Sequence, residues 1–256
     1  MLKFLRSPLY FFLVFIFLSA CKPHALVTKV ETNVFSLDTI TVVKEDTSAI
    51  RLIAPYREKM NETMDEVIAI SDQAMIKSSP EGLLNNFVAD LILLEADKYY
   101  KPADSTGIEM CLLNMGGLRA SLPKGNITLG KVYELMPFEN TLVVITLSGE
   151  KTKQLFDYIA KVGGMPIAGF TMGMKDTLAV DPVVNGKKFD VSKTYKIVTS
   201  DYLAGGGDKM IFFKNPLKRE DLSLKVRDAI LFFMKDEQKK GNLLKAKLDN
   251  RIHYEK

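Results

Sequence analysis

Histidine, cysteine and tryptophan are scarce in this chain of 256 residues, which has two histidines, two cysteines and no tryptophan. The histidines, His24 and His253, stand near opposite ends of the sequence. Neither belongs to a spacing that binds metal, such as two histidines one helical turn apart. We therefore expect no metal centre and no other cofactor in this chain.

The basic residues do not predict a nucleic-acid partner. The net charge is only +4, and the lysines are scattered, as at Lys187, Lys188, Lys239 and Lys240. No tryptophan and no other aromatic residues are interleaved with them, which is typical of solvated surfaces and not of a groove for nucleic acid.

The first 20 residues are typical of an export signal. Lys3 and Arg6 precede an apolar run from Leu9 to Leu18, which is shorter than the roughly 20 residues of a transmembrane helix. The sequence "LSAC" ending at Cys21 resembles a bacterial lipoprotein box, whose cysteine is lipidated and becomes the first residue of the mature protein. We expect an exported protein, lipid-anchored at Cys21 to a bacterial membrane on its periplasmic face or at the cell surface. A plain signal peptide with an incidental cysteine is the alternative.

The second cysteine, Cys111, lies in the apolar run "IEMCLLN". If Cys21 carries lipid, the mature chain has no partner for an internal disulfide. We interpret Cys111 as a small buried hydrophobic residue, since such cysteines are common and inert, with a reactive thiol as the alternative.

Patterns of helix and strand alternate along most of the chain, which predicts an α/β fold of mixed α+β type with helices flanking mixed sheets. Residues 21–47 are a spacer from the membrane or a first strand, and residues 48–256 form the folded domain. We predict strands at 108–114, 141–148 and 194–203, and helices from Thr47 to about residue 67, over "GEKTKQLFDYIAKVGG", and from 221 to about 240.

A further helix is predicted in "SSPEGLLNNFVADLILLEADKYY", with Ser79 as its N-cap and Pro80 at its first position. Its apolar face should comprise Leu84, Phe87, Val88, Leu91 and Leu94. The helix at the start of the domain should bend or break at Pro55.

Three short stretches combine glycine backbone with polar and aromatic side chains. In "NMGGLR", Asn114 ends a strand and the glycines let backbone approach a ligand before Arg119, a pattern that suits an anion. In "PFEN", Phe138 offers a ring and Asn140 an amide that both donates and accepts. Taken singly, each stretch is also compatible with an ordinary turn.

The third stretch, "YLAGGGD", supplies a second ring, Tyr202, and a carboxylate, Asp208. Two rings from different loops can hold a flat ligand between them, and a carboxylate accepts hydrogen bonds from hydroxyl or amino groups. No lysine and serine or threonine follow the glycines as in a nucleotide-triphosphate P-loop, which excludes that motif.

Together, "PEGLLNNFVAD", "NMGGLRASLPKGNITLGKVYELMPFENTLVVITLSG" and "YKIVTSDYLAGGGD" resemble the C-terminal, substrate-binding domain of the 5′-nucleotidase family over roughly residues 48–240. The resemblance implies a nucleotide or nucleoside ligand whose base lies between two aromatic rings. It places the rings at Phe138 and Tyr202, the ribose-contacting aspartate at Asp208, the base-contacting asparagine at Asn140, and the two residues of the glycine loop at Asn114 and Arg119.

Two departures from the family pattern modify this expectation. The family's catalytic domain, a metallophosphoesterase with two metal ions, has no counterpart in the sequence, so divalent metals and catalysis are expected in a partner protein. The family's phosphate-binding arginine is replaced by Ser78, with Lys77 beside it. We therefore expect either the substrate-binding half of a nucleotidase, inactive alone, or a binding lipoprotein for nucleoside or nucleotide uptake or sensing.

Overall fold

The computed structural model describes residues 27–32, 34, 46–104 and 106–255. Cys21, the predicted signal peptide and most of the predicted spacer lie outside them. The chain divides into two units, Met1–Ile50 and Arg51–Lys256. In the first unit, residues 27–32 and 34 are exposed and form no helix or strand, and residues 47–50 form the first turn of a helix.

That first helix, α1 (Thr47–Met64), contains Pro55. The predicted helix is confirmed, and it does not end at the proline. None of its side chains is buried. Of the helices in the described part of the chain, none combines the length and the apolar character needed to span a membrane.

Strands and helices then alternate through the second unit. Their bounds are β1 Val67–Ser71, α2 Leu83–Tyr99, β2 Met110–Leu112, β3 Gly125–Thr128, α3 Leu129–Leu135, β4 Thr141–Ser148, α4 Gly149–Val162, β5 Ile167–Ala168, β6 Phe170–Lys175, β7 Leu178–Val184, β8 Lys187–Lys188, β9 Thr194–Ser200, α5 Asp201–Ala204, β10 Lys218–Lys225, α6 Val226–Lys239 and β11 Ile252–Tyr254.

The central sheet has five strands in the order β10, β4, β9, β2, β5. Only β2 and β9 run parallel, and the other neighbours are antiparallel. A second sheet has the order β11, β6, β7, β8, and β1 pairs with β3. The mixed α/β class predicted from the sequence is confirmed.

Two apolar clusters lie on opposite faces of the central sheet, as the alternation of side chains along a strand requires. Cys111 and Val198 point into the cluster that contains α2 and α6. Their neighbours Met110, Leu112 and Ile197 point into the cluster that contains α4 and strand β6. The central strands are thus buried on both faces, which explains why they have continuous apolar runs.

The start of α2 differs from the sequence prediction. The helix begins at Leu83 after Gly82, which makes no side-chain cap. Ser79, predicted as the N-cap, donates its hydroxyl to the carbonyl of Gly163 instead. The Glu81 carboxylate accepts the backbone amide of Asp249 at 2.9 Å. Ser79 and Glu81 therefore bond to distant parts of the chain and do not cap the helix.

The apolar face of α2 is mostly as predicted. Leu84, Phe87, Val88 and Leu91 are buried, but Leu94 is exposed. At the chain's last helix the prediction began too early, because residues 218–225 form β10, the edge strand beside β4. Helix α6 begins at Val226.

Helix α4 agrees with its predicted span. The Ser148 hydroxyl accepts the amide of Lys151 at the N-terminus, and Gly163 closes the helix with φ at 80°. That left-handed conformation is accessible to glycine at little cost, which accounts for the glycine at this position.

Candidate functional site

A cleft of about 490 Å³ opens at one edge of the central sheet. Strands β2 and β9 are parallel, so their carboxyl ends, at Leu112 and Ser200, reach the same edge. Strand β4 is antiparallel to β9 and pairs Leu142 with Ser200, so its first residues lie at that edge too. The topology therefore brings three separate stretches of sequence to one place.

Five of the six predicted site residues line this cleft. They are Asn114 after β2, Phe138 and Asn140 before β4, and Tyr202 and Asp208 after β9. The two rings are partly exposed, at 42% for Phe138 and 48% for Tyr202, so part of each side chain is accessible to a ligand. The rest of the lining is formed by Leu113, Gly116, Gly117, Met136, Ser200 and Val226.

Arg119, the sixth predicted residue, is not part of the cleft lining. Its backbone amide donates to the carbonyl of Leu135 at 2.8 Å, which anchors the end of the glycine loop. Its side chain is exposed and has no hydrogen-bond or ion-pair partner among the described residues. The Arg119 side chain is thus an exposed cation at the end of the glycine loop.

Asp208 is the centre of the polar contacts in the cleft. One carboxylate oxygen accepts the Asn114 side-chain amide at 2.6 Å, and the other accepts the Tyr202 hydroxyl at 2.8 Å. Its backbone carbonyl accepts the hydroxyl of Tyr158 at 2.6 Å. A carboxylate has about four acceptor sites, so Asp208 retains capacity for donors from a ligand.

The glycines before Asp208 shape this wall. Gly206 has φ at 91° and Asp208 itself has φ at 49°, so the chain turns sharply here. A Cβ atom at Gly207 would lie 2.5 Å from the ring of Tyr202. Glycine at 207 therefore lets the ring pack directly on backbone.

Asn140 is held by Asp201, a residue that does not line the cleft. Its Nδ2 donates to Oδ1 of Asp201 at 2.8 Å, and the same oxygen accepts the backbone amide of Tyr202 at 2.7 Å. Because a carboxylate only accepts, this contact fixes which end of the Asn140 amide faces Asp201. Its Oδ1 has no partner among the described residues and remains an acceptor for a ligand.

The loop that carries Phe138 and Asn140 also carries an ion-paired carboxylate, Glu139. The Glu139 carboxylate forms ion pairs with Lys225 and with Arg227. The Lys225 ammonium, and after it the Arg227 guanidinium, lower the pKa of Glu139 from its ordinary value of 4.5 to about 2. Glu139 is therefore ionised at neutral pH and holds the loop to the start of α6.

Three other ionisable groups lie near the cleft or beneath it. The Lys77 ammonium donates to the carbonyls of Leu118, at 2.8 Å, and Met115, at 3.3 Å, so a positive charge lies beside the glycine loop. Burial, and then the Asp208 charge, raise the pKa of Tyr158. Cys111 is fully buried, and desolvation raises the pKa of its thiol, which agrees with the inert role expected from the sequence.

No group of three or more histidine, cysteine, aspartate or glutamate side chains within the described ranges is arranged to hold a metal ion. The described residues therefore do not fit the two-metal centre that the family resemblance implies for catalysis. What the cleft can do chemically is stack on a flat ligand and exchange hydrogen bonds with its polar edge.

The sequence prediction missed Asp201, Tyr158 and Arg227. The sequence predicts that "SDYL" ends a strand, whereas β9 ends at Ser200 and Asp201 begins the short helix α5. The available signal was an acidic residue directly before Tyr202. Tyr158 and Arg227 are far from the three motifs in sequence, and no local signal marked them.

The fold and the cleft define a mixed α/β domain with a cleft formed by loops at one edge of its central sheet. Comparison with known proteins gives the family. Residues 62–215 match the family model of the 5′-nucleotidase C-terminal domain. This match covers more than half of the chain, and the chain belongs to that family.

Relatives with established names agree with this assignment. The chain is 28% identical over 247 residues to the trifunctional nucleotide phosphoesterase protein YfkN of Bacillus subtilis, with 87% of this chain and 16% of YfkN covered. It is 24% identical over 218 residues to an apyrase of Tabanus yao, with 75% of this chain and 39% of the apyrase covered. The chain thus corresponds to a minor part of each relative's length.

Among solved structures, the 5′-nucleotidase precursor of Thermus thermophilus superposes with a TM-score of 0.69 at 26% identity, covering 82% of this chain and 43% of that one. The NAD nucleotidase of Haemophilus influenzae gives a TM-score of 0.60 at 22% identity over 82% of this chain and 41% of that one. At this identity, the similarity to the NAD nucleotidase is evidence for the fold alone.

Proposed function

We propose that this chain is the nucleotide- or nucleoside-binding half of a 5′-nucleotidase-type phosphohydrolase. The observation that carries the proposal is that Phe138 and Tyr202, from loops far apart in sequence, line one cleft together with Asp208. Two exposed rings, a carboxylate and a free amide oxygen are the groups that stack on a base and bind its polar atoms and its ribose.

Each site residue then has a role. Phe138 and Tyr202 hold the base, Asn140 offers its free Oδ1 to the base edge, and Asp208 accepts from ribose hydroxyls. Asn114 holds Asp208 at 2.6 Å and contacts the ligand beside it. Arg119, outside the cleft, meets the phosphate, with Lys77 contributing charge beside the glycine loop.

Catalysis in this proposal comes from a metallophosphoesterase on a separate chain. The two histidines of the sequence are near its ends, and the described residues contain no cluster of metal ligands. Divalent metals held by such a partner would supply the activation of water for hydrolysis. This chain's own residues would bind and orient the nucleotide for that attack.

The function is tested by calorimetry on the purified chain with adenosine, AMP and ribose 5-phosphate. The proposal predicts that adenosine and AMP bind and that ribose 5-phosphate binds far more weakly, because stacking on the base supplies about 1–3 kcal/mol per ring. If neither adenosine, AMP nor another nucleoside binds, the proposal is wrong.

A second measurement separates the catalytic proposal from uptake or sensing. The chain alone should release no phosphate from AMP in the presence of divalent metals, and a metallophosphoesterase partner should restore release. Metal-dependent release by the chain alone that is lost on Asp208→Ala would refute the need for a partner. Binding with no effect of any phosphoesterase would favour uptake or sensing.

The location is part of the same proposal. We propose export and lipid attachment at Cys21, supported by the apolar segment that ends in "LSAC". Cys21→Ser should move the protein out of the membrane fraction. Mass spectrometry that finds no lipid on the wild-type chain would contradict the anchor.

A further inference from the structure

Arg227 is a buried arginine directly behind the loop that carries Phe138. It lies in the first turn of α6, and its side chain is only 6% exposed. Its Nη1 donates to the carbonyls of Met136, at 3.3 Å, and Phe138, at 3.4 Å. Its Nη2 donates to the Glu139 carboxylate. One guanidinium thus contacts three of the residues from 136 to 139.

The guanidinium is fixed from behind as well. It stacks on the ring of Tyr133 in α3, with 4.3 Å between the guanidinium carbon and the ring centroid. Its Nε is buried and has no hydrogen-bond partner among the described residues. An unsatisfied buried N–H is unfavourable, so this placement is maintained by the contacts of the other guanidinium nitrogens and of the ring.

The same helix also holds the far end of the loop. The backbone amide of Val226 donates to the carbonyl of Asn140 at 2.9 Å. Pro137 has no amide hydrogen to donate, and in the described part of the chain the backbone amides of Phe138 and Glu139 have no acceptor. The position of the Phe138 backbone is therefore set mainly by contacts from the start of α6.

We propose that Arg227 is a positioning residue that fixes the Phe138 ring at the distance from Tyr202 that a base requires. Arg227 is not among the residues that line the cleft, so it acts through the loop and not on the ligand. The proposal rests on the proposed nucleoside-binding function. A ring fixed before binding loses less conformational freedom when the ligand arrives, which raises affinity.

Arg251 provides a matched control. Its side chain is 8% exposed and pairs with the Asp90 carboxylate. Like Arg227, it donates to a backbone carbonyl, in this case that of Ile167 at 2.8 Å. Arg251 lies at the C-terminal segment and is not part of the cleft lining. Loss of either arginine removes a buried guanidinium that pairs with an exposed carboxylate, but only loss of Arg227 should move Phe138.

The first measurement needs no ligand. Because the sequence has no tryptophan, Phe138→Trp places a single indole on the loop. In the full chain, kept in mild detergent, Arg227→Met should raise the acrylamide quenching and lower the fluorescence anisotropy of that indole, whereas Arg251→Met should not. Arg227→Lys, which keeps the charge but presents a single nitrogen, should give a smaller change and serves if Arg227→Met does not fold.

The second measurement is a double-mutant cycle on adenosine binding. Arg227→Met should weaken binding about tenfold with Phe138 present and have little further effect in Phe138→Ala, because a positioning residue acts only through the ring it positions. Arg227→Lys should restore part of the affinity, and Arg251→Met should leave it unchanged.

The outcomes separate this proposal from the function on which it rests. If wild type binds no nucleoside, the proposed function fails, and the fluorescence of the indole at position 138 still decides whether Arg227 orders the loop. If the indole is equally shielded in folded Arg227→Met or Arg227→Lys and in their parent, the positioning role is refuted. Equal losses of binding with and without the Phe138 ring would refute it as well.

Discussion

Tyr202 and Asp208 are joined by two hydrogen bonds across the five residues "LAGGG" that separate them. The Tyr202 hydroxyl donates to the Asp208 carboxylate at 2.8 Å, and the Asp208 backbone amide donates to the same hydroxyl at 3.2 Å. The glycines allow the chain to turn back beneath the ring. The ring and the acid are therefore linked within one wall of the cleft, and Tyr202 remains 48% exposed.

This relationship predicts the effect of a single methyl group. Gly207→Ala places a Cβ 2.5 Å from the Tyr202 ring, so the ring must move. We expect nucleoside binding to weaken by roughly 1–3 kcal/mol, the usual contribution of one stacked ring. Calorimetry measures this loss, and the thermal unfolding midpoint should change little because the loop is at the surface.

Gly205→Ala is the matched control for that change. At Gly205 a Cβ would approach no atom closer than 3.4 Å, so the ring should stay in place. Equal affinity of the two variants, or an intact affinity in Gly207→Ala, would show that the ring does not depend on close packing against residue 207.

A second prediction concerns Asp201. This carboxylate accepts from the Asn140 side chain on one loop and from the backbone of Tyr202 on another. Asp201→Ala should weaken nucleoside binding about tenfold, because a hydrogen bond to a charged group contributes roughly 1.5–3 kcal/mol and its loss frees Asn140 to turn.

Asp201→Asn is the control, since its amide oxygen still accepts from Asn140 and binding should be largely retained. Calorimetry on both variants gives the comparison. Wild-type affinity in Asp201→Ala would mean that Asn140 does not need this contact, and that its orientation is set elsewhere.

Much of the fold was predictable because local patterns and tertiary contacts agree there. The bounds of β4 coincide with the run "TLVVITLS", whose ends are marked by turn residues. Helix α4 ends before Gly163, the glycine that the sequence predicts as its stop. Agreement failed at Ser79, whose hydroxyl bonds Gly163 instead of capping α2. Such a long-range contact leaves no signal in the nearby sequence.

In the site, too, the local motifs were predictable and the long-range contacts were not. The three motifs are visible in sequence because glycines, rings and acids stand close together, and the parallel pairing of β2 with β9 brings their ends together. The residues behind the motifs were not predictable in this way. Arg227 lies far from Phe138 in sequence, and only the packing of α6 brings its guanidinium to the loop.

A third prediction is a pH dependence at Glu139. Its pKa is lowered to about 2 by Lys225 first and Arg227 second, so its contacts are complete above its ordinary value of 4.5 and are lost as the pH falls through about 2. In Lys225→Met the pKa should rise toward 4.5, because the larger of the two causes is removed. A carbon NMR titration of the Glu139 carboxyl measures the change.

Lys218→Met serves as the control for that titration, since Lys218 pairs with Glu220 and not with Glu139. It should leave the Glu139 pKa where it is. An unchanged value in Lys225→Met as well would show that the ion pair does not hold the loop in solution.

A further prediction compares the effects of Phe138 and Phe156 on the stability of the fold. Phe138 is 42% exposed, so Phe138→Ala should barely change the free energy of unfolding. Phe156 is fully buried, with its ring 5.1 Å from that of Phe170, so Phe156→Ala should lower the free energy of unfolding by about 3–5 kcal/mol. Chemical denaturation followed by circular dichroism separates these outcomes, and a large loss in Phe138→Ala would make that ring part of the core.

Whether Phe138 and Tyr202 hold a base between them is tested by calorimetric binding of adenosine to wild type, Phe138→Ala, Tyr202→Ala and the double variant. Tyr202→Phe separates the effect of the ring from that of its hydroxyl. We expect each loss of a ring to weaken binding by roughly 1–3 kcal/mol. The two losses should not be additive, because both rings contact one ligand, and Tyr202→Phe should retain most of the affinity. Adenosine binding that survives removal of both rings in folded protein would contradict this expectation.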